Sequence, residues 1–314
     1  MSDVFRFEDL RPLELADRAV VETALLASPE QSCEFAFSNL FNWCGSYRTR
    51  WTVFDGLLCL WMETNDMLLL AETGRPMRAE DCLAVSGEMR RAGHSGILHH
   101  IRRETLERLP DLEKSFRADV MPDEFGEYLY DVERLAFLPG EFLSRKRNMI
   151  AQFKRNFPDH RVEVNNPARI PAARQLAAEW FAGQEPPGSV ELQHEADALD
   201  RAFRYWRDLG MDFLSVICGE QVAAFSMLGP INDHVWGEPF EKADRRFKGV
   251  SQFITSESAR HLIGRAKLLN REQDLGIPGL RQAKRSYEPV LFLKNYMLTP
   301  RENDDICLCR LQTL

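Results

Sequence analysis

The order of patterns along the 314-residue chain predicts a mixed α/β protein built from two similar units. Apolar residues at helical spacing alternate with short β-branched and aromatic runs. Asp55-Gly56 and Gly219-Glu220 each separate two apolar runs, as the turn of a β-hairpin does. The same rhythm of helix, hairpin, strand and helix occurs in each half. The length favours about two domains, and Leu138-Pro139-Gly140 predicts a boundary that gives domains 1–138 and 139–314.

In the first half, Asp17 to Leu26 places apolar residues at helical spacing, and the aromatic residues that follow are typical of a core. The remaining elements are expected in a simple order along the chain. They are the hairpin at Asp55-Gly56, a strand at Met67–Ala71, a helix at Arg78–Ala92, a strand at Ile97–Ile101, a helix at Glu104–Leu109 and a strand at Glu127–Val132.

The second half is predicted to begin with a basic helix and to contain a second hairpin. The expected elements are a helix at Phe142–Phe153, a strand at His160–Val164, a helix opened by Pro171, a helix at Val190–Leu209, the hairpin at Gly219-Glu220, a strand at His234–Phe240, a helix at Gly249–Arg265, a strand at Ala266–Asn270, and closing strands at Glu288–Leu298 and Ile306–Leu311.

Composition is that of an ordinary globular protein, with 44% apolar and 28% charged residues. The net charge of −8 argues against non-specific binding of nucleic acid or of an anionic membrane. No signal sequence opens the chain, and no apolar run approaches the roughly 18 residues of a membrane span, so we expect a cytoplasmic protein. The seven cysteines are scattered and mostly lie in apolar runs, which is typical of buried free thiols, and we expect no metal site.

The stretch from Asn270 to Pro289 is the most polar candidate for a site. It holds two Gly, two Pro, seven charged residues and one Tyr. Ala283 and Tyr287 are four apart and are expected on one helix face. Tyr287 would either pack in the core or present its hydroxyl to a leaving group as a general acid. Arg281 and Lys284 are candidates for a cationic edge that binds a phosphate or a carboxylate.

A second candidate is the turn from Arg246 to Ser251, between a strand and a helix. Gly249 would let backbone N–H groups face an anion, and Arg246 and Lys248 would add positive charge. The alternative is an ordinary capped turn. Just before it, Glu241 and Asp244 would hold a substrate ammonium or take its proton, or else form surface salt bridges. The basic residues of the helix at Phe142–Phe153 predict a solvated face or an anion or RNA contact.

Four local patterns along the chain stand out together. They are Phe37-Ser38-Asn39-Leu40 with Trp43; Arg145-Lys146-Arg147-Asn148; Glu241-Lys242-Ala243-Asp244 with Gly249 and Gln252; and Asn270-Arg271-Glu272 through Gly276, Gly279-Leu280, Lys284 and Ser286-Tyr287. Over roughly residues 35–297 these patterns resemble the phosphatidylglycerol lysyltransferase C-terminal-domain-like family. This resemblance implies a tandem pair of GNAT acyltransferase folds, each a mixed and mostly antiparallel sheet flanked by helices, as in Fem-type peptidoglycan aminoacyltransferases.

The resemblance implies an acyltransferase or aminoacyltransferase with no tightly bound cofactor. Its donor would be acyl-coenzyme A or aminoacyl-tRNA, and its acceptor an amine or a hydroxyl. The implied residues are Tyr287, Glu241 and Asp244 for catalysis; Arg246, Lys248, Gly249, Val250, Ser251 and Lys284 for the donor; and Lys146, Arg147, Asn148, Arg271 and Glu272 for the substrate. A backbone N–H of a splayed fourth strand would hold the oxyanion. The alternative is a non-catalytic tandem GNAT-like module that binds a nucleotide, a tRNA or a protein. The acceptor and the oligomeric state are left open.

Overall fold

The computed structural model describes residues 4–184 and 189–301. Within these ranges helices and strands alternate along the chain. The α-helices are α1 (Arg18–Leu26), α2 (Phe37–Tyr47), α3 (Ala79–Arg91), α4 (Arg103–Arg108), α5 (Val132–Phe137), α6 (Ser144–Asn156), α7 (Ile170–Ala182), α8 (Val190–Tyr205), α9 (Val250–His261) and α10 (Pro278–Arg285). None of them is long and apolar enough to cross a membrane.

The strands form two sheets of seven. They are β1 (Arg11–Pro12), β2 (Thr49–Phe54), β3 (Leu57–Met62), β4 (Met67–Glu72), β5 (Leu98–Ile101), β6 (Phe116–Val120), β7 (Glu127–Asp131), β8 (Arg161–Val164), β9 (Asp212–Cys218), β10 (Gln221–Pro230), β11 (Val235–Ala243), β12 (Leu268–Gln273), β13 (Leu291–Leu293) and β14 (Tyr296–Pro300).

These elements divide into two compact units that interleave along the chain. The first unit holds residues up to 30, then 47–126, then those from 293; the second holds 31–46 and 127–292. The predicted boundary at 138/139 differs from this division. Strand pairing explains the difference, because β7 pairs with β12 in the second unit and β14 pairs with β5 and β6 in the first.

The first unit is built on a sheet with the order β1-β2-β3-β4-β5-β14-β6. The predicted hairpin at Asp55-Gly56 is confirmed, with Phe54 opposite Leu57. Every residue of β3 is buried. Its side chains join those of β4, α3 and β14 in one apolar core that includes Trp61, Leu70, Val85 and Leu298.

The second unit is built on a sheet with the order β13-β7-β12-β11-β10-β9-β8. The predicted hairpin at Gly219-Glu220 is confirmed, with Cys218 opposite Gln221. All seven residues of β9 are buried, as expected for a strand covered on both faces. β11 pairs with β12 in parallel and with β10 in the antiparallel sense.

Helices cover both faces of the second sheet. Residues directly opposite each other on neighbouring strands point to the same face, so Ser226 shares a face with Glu241, and Phe225 shares the other with Lys242. Helix α9 lies on the Glu241 face, where Thr255 contacts that carboxylate. Helix α8 lies on the opposite face, where the rings of Phe203 and Phe225 are 5.2 Å apart.

The structure differs from the sequence predictions at several elements. Helix α2 lies within the aromatic stretch that was interpreted only as core, and β1 and β6 were not predicted. Helix α10 ends at Arg285, so Tyr287 follows the helix and does not share a helix face with Ala283. The predicted strand at Ile306–Leu311, with Cys307 and Cys309, lies outside the described residues.

Candidate functional site

The two central strands of the second unit separate from each other partway along their length. β11 and β12 pair only from Val235–Leu268 to Gly237–Asn270, although both strands continue beyond these pairs. Beside this point the β10–β11 register shifts between Met227 and Gly229. Such a bulge inserts one extra residue and re-aims the side chains that follow it. The divergence opens a gap in the sheet.

Glu238 and Glu241 of β11 both face this gap. Three residues apart, they would point to opposite faces of a regular strand, but the bulge brings them to the same face. Arg271 of β12 donates hydrogen bonds to both: its Nε to the Glu238 carboxylate, and its Nη2 to Glu241 Oε2 at 2.8 Å. The Ser226 hydroxyl donates to Glu238 Oε1 at 2.7 Å. A buried arginine thus holds two carboxylates where the strands part.

This group is shielded from water, since the side chain of Arg271 is 12% exposed and that of Glu238 is 1% exposed. Burial alone would lower the pKa of Arg271, but Glu238 and Glu241 raise it above its ordinary range. The guanidinium therefore stays charged. Breaking such a buried pair by removing one partner is costly, because it leaves an uncompensated charge in a poorly solvated position.

Glu241 is also held by two hydroxyl groups of helix α9. It accepts hydrogen bonds from Thr255 Oγ1 at 2.8 Å and from Ser251 Oγ at 3.3 Å, in addition to Arg271. Burial raises the pKa of Glu241 to about 7, with Arg271 opposing the shift and Glu238 adding to it. A carboxyl group that titrates near neutral pH can both accept and return a proton.

Tyr287 lies against the same group. Lys146 Nζ is 4.1 Å from the centre of its ring, and the Arg271 guanidinium carbon is 5.7 Å away. Burial raises the pKa of Tyr287 to about 12, so its hydroxyl remains a proton donor at neutral pH. Burial, followed by the charge of Arg271, lowers the pKa of Lys146. We name Glu238, Glu241, Arg271, Tyr287 and Lys146 the Arg271 cluster.

The structure thus brings together several residues implied by the resemblance: Glu241, Tyr287, Arg271, Lys146 and Ser251. It places others elsewhere. Asp244 pairs with Arg246 Nη2 at 2.6 Å, and Lys248 is exposed. Arg147 donates to the backbone carbonyls of Leu138 and Gly140, and Asn148 is exposed.

Gly249 is fixed by packing against helix α6. Its φ is +91°, and a Cβ built there would lie 2.3 Å from the carbonyl oxygen of Met149. In the turn before Gly249, backbone N–H groups already donate to acceptors within the turn. The N–H of Arg246 bonds Asp244 Oδ1 at 2.9 Å, that of Phe247 bonds the Asp244 carbonyl at 3.1 Å, and that of Val250 bonds the Phe247 carbonyl at 3.0 Å.

The predicted cationic edge of Arg281 and Lys284 does not form. Arg281 pairs with Asp274 through two hydrogen bonds of 2.8 Å. The Lys284 ammonium donates to the carbonyls of Arg271 and Gln273, which holds the end of β12. Burial lowers the pKa of Lys284 to about 8 and raises that of Glu272 to about 8, and the attraction between the two groups opposes both shifts.

A second acidic network lies where β7 meets β12. Glu127 is fully buried and accepts hydrogen bonds from the Ser32 hydroxyl, the Cys33 N–H and the Asn270 amide. Nearby, Gln273 donates to Glu34 at 3.5 Å. Burial, followed by repulsion from Glu127, raises the pKa of Glu34 to about 7.

The Glu34 carboxyl is expected to make folding pH-dependent. Its folded-state pKa of about 7 exceeds the ordinary 4.5, so the folded state binds more protons between these values and stability falls as pH rises through that window. Glu34→Gln should flatten the fall, as measured by urea unfolding from pH 4.5 to 7. The exposed Glu141→Gln is the control. An unchanged pH dependence in Glu34→Gln would contradict the expectation.

The sequence predictions missed Glu238, Ser226 and Thr255. Glu238 had one usable signal, since it is an acidic residue inside an otherwise apolar and aromatic run, Val235 to Phe240. Charged residues in such a run are rarely buried without a partner. Ser226 and Thr255 had none, because small hydroxyl residues are common in strands and helices of any function.

Comparison with known proteins places this chain in a family. The family described as phosphatidylglycerol lysyltransferase, C-terminal, matches residues 27–299. A conserved protein of unknown function from Bacteroides thetaiotaomicron VPI-5482 has a similar structure, with 27% identity and a TM-score of 0.86 over 93% of this chain and 99% of that one.

Two more distant structures share the fold. The structure of L-PGS from Bacillus licheniformis is 14% identical, with a TM-score of 0.61 over 92% of this chain and 94% of that one. The structure of FemX is 8% identical, with a TM-score of 0.59 over 93% and 97%.

Among curated proteins, an uncharacterized protein of Mycoplasmoides gallisepticum is 22% identical over 190 residues. The match spans 60% of this chain and 60% of that relative's length. The expected fold class is confirmed: the chain consists of two tandem GNAT-like units with mixed sheets flanked by helices. Because the family match covers most of its length, the chain belongs to the phosphatidylglycerol lysyltransferase C-terminal family.

Proposed function

We propose that the chain is an aminoacyltransferase that moves an aminoacyl group from aminoacyl-tRNA to a hydroxyl or amine acceptor. The observation that carries this proposal is the Arg271 cluster, in which a buried arginine, a carboxyl group with a pKa of about 7 and a protonated tyrosine meet where β11 and β12 diverge. Membership of a lysyltransferase family supports the transferase class.

The reaction makes one bond and breaks one. The acceptor oxygen or nitrogen attacks the ester carbonyl carbon, and the bond from that carbon to the tRNA ribose oxygen breaks. Glu241 takes the proton that the acceptor loses and returns it to the departing ribose oxygen. Arg271 and the Tyr287 hydroxyl stabilise the negative charge on the carbonyl oxygen. Within the described residues β11 has no ladder partner in β12 beyond Gly237, so its N–H groups there are further candidates for the oxyanion.

The strand-to-helix turn offers few donors to the pyrophosphate of coenzyme A, which supports a tRNA-linked donor instead. The N–H groups of Arg246, Phe247 and Val250 already bond within the turn, and the Met149 carbonyl packs against Gly249. Helix α6, whose Lys146 belongs to the cluster, also exposes basic side chains that suit the phosphates of an RNA acceptor stem. They are Arg145, Lys154 and Arg155.

The central test is Glu241→Gln, assayed by transfer of a radiolabelled aminoacyl group from tRNA. Acceptors would be vesicles containing phosphatidylglycerol and, separately, short peptides with a free amine. We expect kcat to fall about 10²–10⁴-fold, the usual contribution of a general base. Wild-type kcat should rise with pH through about 7, as Glu241 loses its proton. The kcat of Glu241→Gln should not rise in this pH range.

The exposed Glu220→Gln is the matched control and should keep wild-type kcat. Full transfer by Glu241→Gln would contradict the assigned role. If the wild-type chain binds charged and uncharged tRNA equally and consumes no donor with either acceptor, the chain is a binding module and the transferase proposal fails.

A further inference from the structure

A cavity of about 530 Å³ lies between helices α2 and α8 of the second unit. Asn42 and Gly45 line it from α2, and His194, Asp197, Arg201 and Arg204 line it from α8. Helix α8 covers the sheet face opposite the Arg271 cluster, so this α2–α8 cavity is separate from the group assigned to transfer. Its volume is in the range that holds a small metabolite.

Arg201 lines this cavity, and among the described residues no carboxylate lies within ion-pair distance of its guanidinium. Its guanidinium carbon lies 5.5 Å from the ring centre of Phe41. The nearby Asp200 already forms ion pairs with two other arginines, with Arg204 at 2.9 Å and with Arg174. A guanidinium in this state is suited to a carboxylate or phosphate ligand, which it binds through two parallel hydrogen bonds.

Asp197 offers the complementary group. It lines the same cavity from α8, four residues before Arg201, and its carboxylate accepts a hydrogen bond from Gln193 at 2.8 Å. Its side chain is exposed, so a ligand in the cavity can reach it. A guanidinium and a carboxylate on one wall suit a ligand that carries an oxyanion beside a hydrogen-bond donor.

Gly45 has no side chain and so leaves room for the end of the Arg201 side chain. A Cβ built on Gly45 would lie 2.6 Å from Arg201 Nη2, with the guanidinium carbon at 3.6 Å. Any larger residue would displace the end of this flexible side chain. The displacement would move the charge while leaving the backbone of α2 in place.

We propose that the α2–α8 cavity binds a small organic anion whose phosphate or carboxylate pairs with Arg201 and whose adjacent hydroxyl or ammonium donates to the Asp197 carboxylate. Asp197 favours the ammonium form. The shared chemistry is an oxyanion beside a hydrogen-bond donor. Glycerol 3-phosphate and phosphoethanolamine represent the phosphate source, and glycine and serine the carboxylate source.

The test is isothermal titration calorimetry and thermal shift of the full chain with these four probes, and with inorganic phosphate and acetate, which lack the adjacent carbon-bound hydroxyl or ammonium. A ligand that binds the folded state raises the melting temperature by mass action. We expect one source to bind, and its donor-bearing members to bind more tightly than the bare anion. Arg201→Gln should weaken binding at least about tenfold, since it removes a charge-assisted pair.

Gly45→Ala is the variant that separates folding from binding. Alanine is favoured over glycine in a helix, so the protein should stay folded while the displaced guanidinium binds the probe more weakly. Arg207→Gln, an exposed arginine just beyond the same helix, should keep wild-type affinity. The proposal is overturned if no probe binds at about 10 mM, a concentration that would reveal even millimolar affinity. It is also overturned if Arg201→Gln and Gly45→Ala both bind the probes as tightly as the wild type. Binding of RNA at the cavity, with no binding of any small probe, would overturn it too. These measurements need no aminoacyl transfer, so they stand or fall independently of the proposed reaction.

Discussion

Replacing Arg271 by methionine is expected to lower the free energy of unfolding by about 3–5 kcal/mol at pH 8, the usual cost of breaking a buried ion pair from one side. Glu238 and Glu241 would then face each other without a counter-ion. The loss should be smaller at pH 5. Arg271 normally lowers the pKa of Glu241, so its removal raises that pKa further and lets the carboxyl group become neutral by protonation.

Urea unfolding followed by tryptophan fluorescence at pH 5 and pH 8 would measure both values. Arg245→Met is the control, because Arg245 is exposed and its loss should cost little at either pH. Equal destabilisation of Arg271→Met at the two pH values would argue against an electrostatic origin. A stable Arg271→Met protein with full transfer activity would remove the cluster from both folding and catalysis.

Gly249→Ala is expected to destabilise the protein by about 3 kcal/mol or more, as severe steric and backbone conflicts do. Two effects add at this position. An alanine at φ +91° is strained, and its Cβ would lie 2.3 Å from the Met149 carbonyl oxygen. Backbone cannot move aside as a flexible side chain can. Either α6 would shift away from α9 or the turn would rearrange.

Gly264→Ala separates these two effects. Gly264 follows the other end of α9 with φ +78°, and a Cβ there meets nothing within 4 Å. Gly264→Ala should therefore lower the free energy of unfolding only by the cost of the strained backbone, about 1–2 kcal/mol. The difference between the two variants, measured as unfolding free energies, reports the contact between α6 and Gly249. Similar losses in both would mean that α6 does not press on the turn.

Local turn chemistry explains which parts of the fold could be predicted. Asp55-Gly56 and Gly219-Glu220 specify their hairpins within a few residues, and both were confirmed. The pairing of β14 with β5 and β6 could not be predicted, because it joins segments nearly two hundred positions apart. The sequence of a five-residue strand does not specify which strands it pairs with. Helix α2 was missed because its aromatic residues fit a buried helix as well as a buried strand.

The candidate site was predictable only in part, for a related reason. Glu241, Arg271 and Tyr287 stand in polar stretches that composition singles out. That Arg271 pairs with Glu238 depends on the β10–β11 bulge, which changes the face on which that carboxylate lies. A strand pattern of period two cannot indicate a bulge in advance. Lys284 shows the converse, since its charge predicted a ligand contact while the fold uses it to hold backbone carbonyls.

The position of β14 in the first sheet also sets an order for biosynthesis. β14 lies between β5 and β6, yet a ribosome makes residues 296–300 after nearly all of the second unit. While translation proceeds, the facing edges of β5 and β6 stay uncovered, although the second sheet already has most of its strands. The sheet of the unit that begins first along the chain is therefore the last to receive all its strands. Uncovered strand edges can recruit other chains, so we expect the edges of β5 and β6 to be open to association until β14 is made.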